Sequence, residues 1–334
     1  MSALQTQFDQ FHATIKLGEH DEKANLRAKR DTLINALETR LPNDVPSFET
    51  FHQGSYSMHT GVRPLDGNYD IDIGVVFDCT RHAYLDPVEL KKKIRDALDT
   101  HGRTVNIRRP CVTVNYIRGG EIDYHIDLAI YAKRSDGLLD LAKGKEHSAT
   151  EHRVWEASDP RQLTELICTR FEGAEVKQYR RCIRYMKRWR QVRFSSGGPI
   201  SIALTVAAYL WFKPYQTTGG TVIDIVAMLD WTNAMLGRFS YTLTDEGFYP
   251  RLTVELPTTP YADLMQGMSK IQMETFKAEL EMLRDTLQAA YDETLPEEAA
   301  KKLVKVLGAD FPVPNKSSTA KAVGAAFIGT GNSA

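Results

Sequence analysis

A Gly54-Ser55-Tyr56 turn is followed, after a short gap, by Asp70-Ile71-Asp72, two carboxylates one residue apart in a β-branched run. In a strand, residues i and i+2 project to the same face, about 6.5–7 Å apart at Cα. Both carboxylates can therefore close on one divalent cation or on a pair of them. The Gly-Ser turn offers backbone N–H groups and a hydroxyl to phosphate oxygens. Phosphate, a divalent metal and two carboxylates on one strand point to nucleotidyl transfer. The plain alternative is a pair of solvent-facing or turn-capping aspartates. That alternative suits a bare Asp-x-Asp better than one set in a hydrophobic strand just after Gly-Ser.

Two metals need a third oxygen ligand, and Ile122-Asp123-Tyr124-His125-Ile126-Asp127-Leu128 offers one. Asp123, His125 and Asp127 share a strand face. Asp127 stands between Ile126 and Leu128, where an unpaired carboxylate is costly, so it is favoured over its competitor Asp123. Mg²⁺, or Mn²⁺ in its place, suits three aspartates because it keeps some of its waters and uses few carboxylates. Two such ions about 3.5–4 Å apart activate a ribose hydroxyl and stabilise a leaving pyrophosphate. His59 and His125 lie near the motifs, but this chemistry requires no histidine base.

These residues need a sheet to hold them. Strand patterns run over residues 47–52, 70–77, 104–107, 111–117 and 122–131, and Gly119-Gly120 joins the last two as a hairpin. Asp86-Pro87 opens a helix reaching about residue 101, with Asp86 as N-cap and Pro87 at the first helical position. Residues 5–41 read as helix, with Phe8, Phe11, Ile15, Leu33 and Leu37 at helical spacing and a bend at Leu17-Gly18-Glu19. The first half is thus α/β. From Pro160 onward the pattern is helical, over 160–173, 174–194, 200–215, 221–237, 265–293 and 297–307. Residues 239–256 alternate like a hairpin or an extended arm. The expected division is a catalytic lobe with the leading helix over 1–158, a helical lobe over 159–310, and a flexible tail over 311–334 rich in Gly, Ala, Ser and Thr.

The chain has 334 residues, 42% hydrophobic and 25% charged, with a formal net charge of −1. No global field attracts nucleic acid, so any polyanion site must be local. Four cysteines without CxxC or CxxH spacing read as reduced and buried, which argues against structural zinc and for a cytoplasmic protein. No signal peptide is evident. The most apolar run, residues 200–212, is too short to span a bilayer, so no membrane association is expected.

Gly54-Ser55-Tyr56, Asp70-Ile71-Asp72 and Ile126-Asp127-Leu128 resemble the nucleotidyltransferase core shared with polymerase β. The phrase Gln53-Gly54-Ser55-Tyr56, with Thr60 and Arg63-Pro64-Leu65-Asp66, is most similar to the bacterial cGAS/DncV-like nucleotidyltransferases (CD-NTases). The likeness covers roughly residues 47–307. It implies a bilobed polymerase β-like fold, a mixed-sheet lobe and a helical lobe with the active site between them. It implies synthesis of a cyclic di- or trinucleotide from nucleoside triphosphates (ATP, GTP or others) in bacterial anti-phage defence (CBASS). Gly54 and Ser55 would hold the triphosphate, and Asp70, Asp72 and Asp127 the metal. Arg184-Tyr185-Met186-Lys187-Arg188-Trp189 resembles the segment bearing a triphosphate-binding lysine, here Lys187. Pro199-Ile200-Ser201 resembles one whose serine touches phosphate, here Ser201. An E1/E2-like or HORMA-type regulator is a further implication, and conjugation through the C-terminus would suit a flexible tail. No zinc-bearing insertion for DNA is present, so activation by double-stranded DNA is not implied.

Three further expectations follow. Apart from Lys187, the arginines around it read as the ordinary solvated face of an amphipathic helix. Transfer to an RNA or protein acceptor is the alternative activity, disfavoured by the near-neutral charge. A binding protein with a degenerate site is disfavoured by the intact carboxylates.

Overall fold

In the sheet, β-branched strands bury one face fully, while the other is covered by a small cluster of Val76, Ala129, Tyr131 and Leu139 at one end and is less buried at the other. The computed structural model describes residues 4–17, 21–65, 67, 69–100, 102–118, 121–244 and 247–315. For 21–26, 70, 117–118, 121–123 and 244 it describes the backbone alone. The strands are β1 (Phe48–His52), β2 (Tyr69–Phe77), β3 (Arg103–Ile107), β4 (Val112–Arg118), β5 (Glu121–Lys133), β6 (Leu139–Lys143) and β7 (Val154–Ser158). Their order is β1-β2-β5-β4-β3, and β6 and β7 extend the sheet from the far end of β5. β2 and β5 are parallel, and every other pairing is antiparallel.

Alternation along the two parallel strands decides which face is covered. Ile71, Ile73, Val75 and Phe77 of β2, with Ile126, Leu128 and Ile130 of β5, are buried on one face. They pack with Leu33 and Leu37 of α2 (Asp21–Arg40) and with Leu90, Ile94 and Leu98 of α4 (Pro87–Leu98). Burying each such side chain stabilises by about 1.5–3 kcal/mol. The Asp86 side chain accepts from the Val88 N–H and caps α4 as its sequence indicates. Asp72, His125 and Asp127 fall on the opposite face by the same period of two.

The helical lobe comprises α5 (Pro160–Thr169), α6 (Gly173–Arg193), α7 (Ser201–Trp211), α8 (Asp224–Leu236), α9 (Lys270–Asp292) and α10 (Pro296–Leu307), with a small hairpin of β8 (Ser240–Thr244) and β9 (Gly247–Arg251). Its core holds Trp189, Trp231, Phe276 and Leu280. It also holds Phe8, Phe11 and Ile15 of α1 (Gln5–Ile15), so this helix packs against the second lobe although it precedes the first in sequence. Phe311, placed by sequence at the head of the tail, is buried against Phe8 and Phe11.

Several expectations change. The helix over 5–41 is two helices, with Lys16 extended between them. The bend at Gly18-Glu19, the Gly119-Gly120 turn and the tail from 316 lie outside the described residues. β6 and β7 had no reading. Of the two forms expected for residues 239–256, the hairpin is the one found, with β8 and β9 antiparallel.

A buried carboxylate ties three helices together. Asp224, fully shielded from solvent, accepts two bonds from Arg181, both 2.7 Å, and others from Gln178 and the Tyr185 hydroxyl. Its own N–H donates to Oε1 of Gln5 on α1. Removing one partner of a buried ion pair leaves the other charge uncompensated. Asp224→Ala is therefore expected to lower unfolding free energy by about 3–5 kcal/mol in urea titrations. A loss under about 1 kcal/mol would show that the carboxylate does not hold the lobe.

Candidate active site

The chain leaves β1 at His52 and turns sharply through Gln53 and Gly54. The Gln53 N–H donates to the Asp72 carbonyl, pinning the turn to β2. Gly54 has φ +66°, in the left-handed region. A Cβ placed there would lie 1.9 Å from Asp72 Oδ2, so only glycine lets the backbone pass this carboxylate. Residues Gly54–Ser57 then make a single helical turn, α3.

The parallel register pairs Asp70 with His125 and Asp72 with Asp127. Neighbouring strands lie about 4.8 Å apart, so Asp72 and Asp127 stand side by side on the open face. Asp123 precedes the β2–β5 ladder, whose first pair is Tyr69 with Tyr124. Asp127 accepts from the Thr113 hydroxyl of β4 at 2.5 Å, a neutral contact that fixes the carboxylate without cancelling its charge. Burial, and then the Asp127 charge, pushes the nearby Cys111 thiol up to about 12. The Asp70 side chain lies outside those described. Among the described side chains no three His, Cys, Asp or Glu converge closely enough for a metal. The backbone places Asp70 two positions before Asp72, and the Cβ-free approach at Gly54 leaves Asp72 uncrowded. This donor set of hard carboxylates suits a divalent cation.

Above the sheet opens a cavity of about 630 Å³, lined from the sheet lobe by Gly54, Ser55, Asp72 and His125 and from the helical lobe by Lys187, Arg190, Gln191 and Ser201. Five of the seven residues named from sequence thus border one space. Asp127 adjoins it through Asp72, and Asp70 is placed by backbone alone. Ser201 is the first residue of α7, just after Pro199-Ile200.

The helix that brings Lys187 overturns one expectation. Arg184, Lys187 and Arg188 are only 6%, 6% and 2% exposed, so they are not a solvated face. Arg184 donates to the carbonyls of His59 and Gly61, Lys187 to the carbonyl and hydroxyl of Thr60, and Arg188 to the carbonyl of Arg63. Their stripe faces the other lobe, which a helical wheel alone does not reveal. Two cavity residues had no sequence reading. Arg190 holds the Pro199 carbonyl at 2.6 Å, and burial presses its guanidinium below its ordinary pKa. Gln191 turns a buried Oε1 that lacks a partner among the described residues. The i+3 and i+4 spacing from Lys187 was the available signal.

Residues 48–131 match the family model for the nucleotidyltransferase domain of cyclic GMP-AMP synthase DncV-like proteins. A curated cyclic GMP-AMP synthase of Escherichia albertii is 29% identical over 178 residues, which is 51% of this chain and 38% of that protein. The match thus spans well under two thirds of that relative's length. Among solved structures, the CD-NTase CdnG of Bradyrhizobium diazoefficiens in complex with GTP superposes with a TM-score of 0.66 at 16% identity, covering 92% of this chain and 96% of that one. Vibrio cholerae DncV in complex with nonhydrolyzable GTP gives 0.59 at 22% identity, covering 80% and 70%. The same enzyme with the linear intermediate 5′ pppA(3′,5′)pG gives 0.60 at 18%, covering 91% and 97%. The fold is accordingly the bilobed polymerase β-like one expected from the motifs.

Two measurements test this geometry. Gly54→Ala combines a left-handed backbone with a clash against Asp72, and is expected to cost about 2–3 kcal/mol in urea unfolding. An unchanged midpoint would refute the close approach. His12 of α1 is pushed down to about 4, first by burial, then by Arg184, Arg181 and Lys16. Between pH 6.5 and 4 the unfolded chain then binds a proton that the folded chain does not. Stability should rise with pH through that window and be lost on acidification. His12→Gln should flatten the difference between unfolding midpoints at pH 7 and 5, and an identical slope would exclude His12 as its source.

Proposed function

We propose that this chain, which carries the nucleotidyltransferase domain of the bacterial cGAS/DncV-like (CD-NTase) family, is a metal-dependent enzyme that joins nucleoside triphosphates into a cyclic di- or trinucleotide. The observation that carries the reading is the pairing of Asp127 with Asp72, which with Gly54 lines a cavity that Lys187 and Ser201 line from the other lobe. Asp70, Asp72 and Asp127 hold Mg²⁺ or Mn²⁺. When bound there, the metal would supply activation of the acceptor hydroxyl and charge stabilisation of the leaving pyrophosphate. Gly54 and Ser55 hold the donor triphosphate from the sheet lobe, and Lys187 and Ser201 hold it from the helical lobe. A compact ammonium and a hydroxyl at the start of a helix both suit phosphate oxygens.

The GTP and pppA(3′,5′)pG complexes of the related proteins support nucleoside triphosphates as substrates and a linear intermediate that re-docks before ring closure. The product is a second messenger of anti-phage defence (CBASS) made in the cytoplasm. No described helix is long and apolar enough to cross a membrane. An E1/E2-like or HORMA-type partner belongs to the same proposal.

The test is incubation of purified protein with all four radiolabelled triphosphates and Mg²⁺ or Mn²⁺, then phosphatase treatment and chromatography. Phosphatase-resistant small products are expected. Asp70→Asn with Asp72→Asn should reduce them at least about 1,000-fold while circular dichroism stays unchanged. Label appearing only in RNA or protein would point to a different acceptor, and full activity in the double variant would remove the metal assignment.

A further inference from the structure

A second cavity, of about 340 Å³, lies between α1 and α6 and shares Leu17, Ser55 and Gly61 with the first as a common wall. Its size falls in the range of small-molecule sites, about 300–1,000 Å³. Five cations line it: Lys16, Lys177, Arg180, Arg181 and Arg184. Arg181 is neutralised by Asp224, with two bonds of 2.7 Å. Among the described residues one carboxylate, Asp9, lines the cavity with them, 4.0 Å from Arg181. Arg184 donates to the carbonyls of His59, Gly61 and Arg180 and lies 3.0 Å from His12 Nε2. The Nε of Arg180 is shielded from solvent without a hydrogen-bond partner among the described residues. His12, at the same wall, stays neutral at pH 7 because burial and these cations depress it. A concave site with several cations, one carboxylate and an unsatisfied guanidinium donor has the chemistry of an anion receptor.

We propose that the α1–α6 cavity is a second binding site, separate from the cleft, for a small polyphosphorylated anion. The ligand class follows from the number and spread of the cations. One carboxylate or one phosphate engages one or two of them, whereas a chain of phosphates engages Lys177, Arg180, Lys16 and Arg184 together. Its effect on the cleft passes through the shared wall. Arg184 holds residues 59 and 61 from this side, and Lys187 holds residue 60 between them. An anion that draws Arg184 toward itself changes how the Ser55–Gly61 segment sits.

The probe is inorganic tripolyphosphate, titrated by calorimetry into the full chain at 0.15 M salt with a chelator in place of divalent metal. Lys177→Gln with Arg180→Gln, neither placed in the catalytic machinery, should weaken binding at least about 10-fold with an unchanged unfolding midpoint. Lys92→Gln with Arg134→Gln removes the same charge elsewhere on the surface and should leave binding within about 2-fold. Asp72→Asn should retain the site, so the result stands apart from that of the transfer assay. Equal binding by the native chain and the Lys177/Arg180 variant, equal weakening by both double variants, or no binding at millimolar probe would each overturn the proposal.

Discussion

Three side chains of one helix take four carbonyls in a five-residue stretch of the other lobe, and the arrangement of the site depends on this clasp. Arg184, Lys187 and Arg188 of α6 reach the backbone of residues 59–63. That stretch continues the Gly54-Ser55 turn, so its position is set from both sides, by β2 through Gln53 and Asp72 and by α6 through the clasp. Burying three cations is costly, and burial lowers the pKa of Arg188. Carbonyl oxygens offset the cost by hydrogen bonding, and Asp310 adds a carboxylate 3.5 Å from Arg188.

The sheet imposes the second constraint. Asp72 and Asp127 are neighbours because β2 and β5 run parallel in one register. A one-residue slip would send one carboxylate into the face now filled by Ile71, Ile73, Ile126 and Leu128. The apolar residues between the acids thus do more than pack, because their burial locks the register that brings the acids together.

Much of this was legible in the sequence. Period-two alternation placed β2 and β5, Asp86-Pro87 placed the start of α4, and the spacing of the acids placed them on one face. What local pattern could not carry was the identity of each element's neighbour. The arginines beside Lys187 look solvated on a helical wheel, and only the facing loop makes them buried. β6 and β7 are short, and they pair only because β5 runs on to Lys133. Arg190 and Gln191 border the cavity with Lys187, and their i+3 and i+4 spacing becomes informative only once Lys187 itself is placed there. Likewise, Phe8, Phe11 and Ile15 indicated a helix without indicating the lobe it serves.

That last placement has a consequence for the order in which the protein comes together. The aromatic rings of α1 are translated before any strand, yet they stack on Tyr185 and Phe311, the latter some 300 residues later. The α/β lobe has all its strands once residue 158 has emerged. The helical lobe cannot complete its interior until synthesis has passed Phe311. For that interval the nascent chain carries an apolar helix with no partner, the kind of surface that holding chaperones recognise. A segment made ahead of every strand of the sheet is therefore among the last to be secured, and it closes the second lobe like a latch fitted after the walls are up.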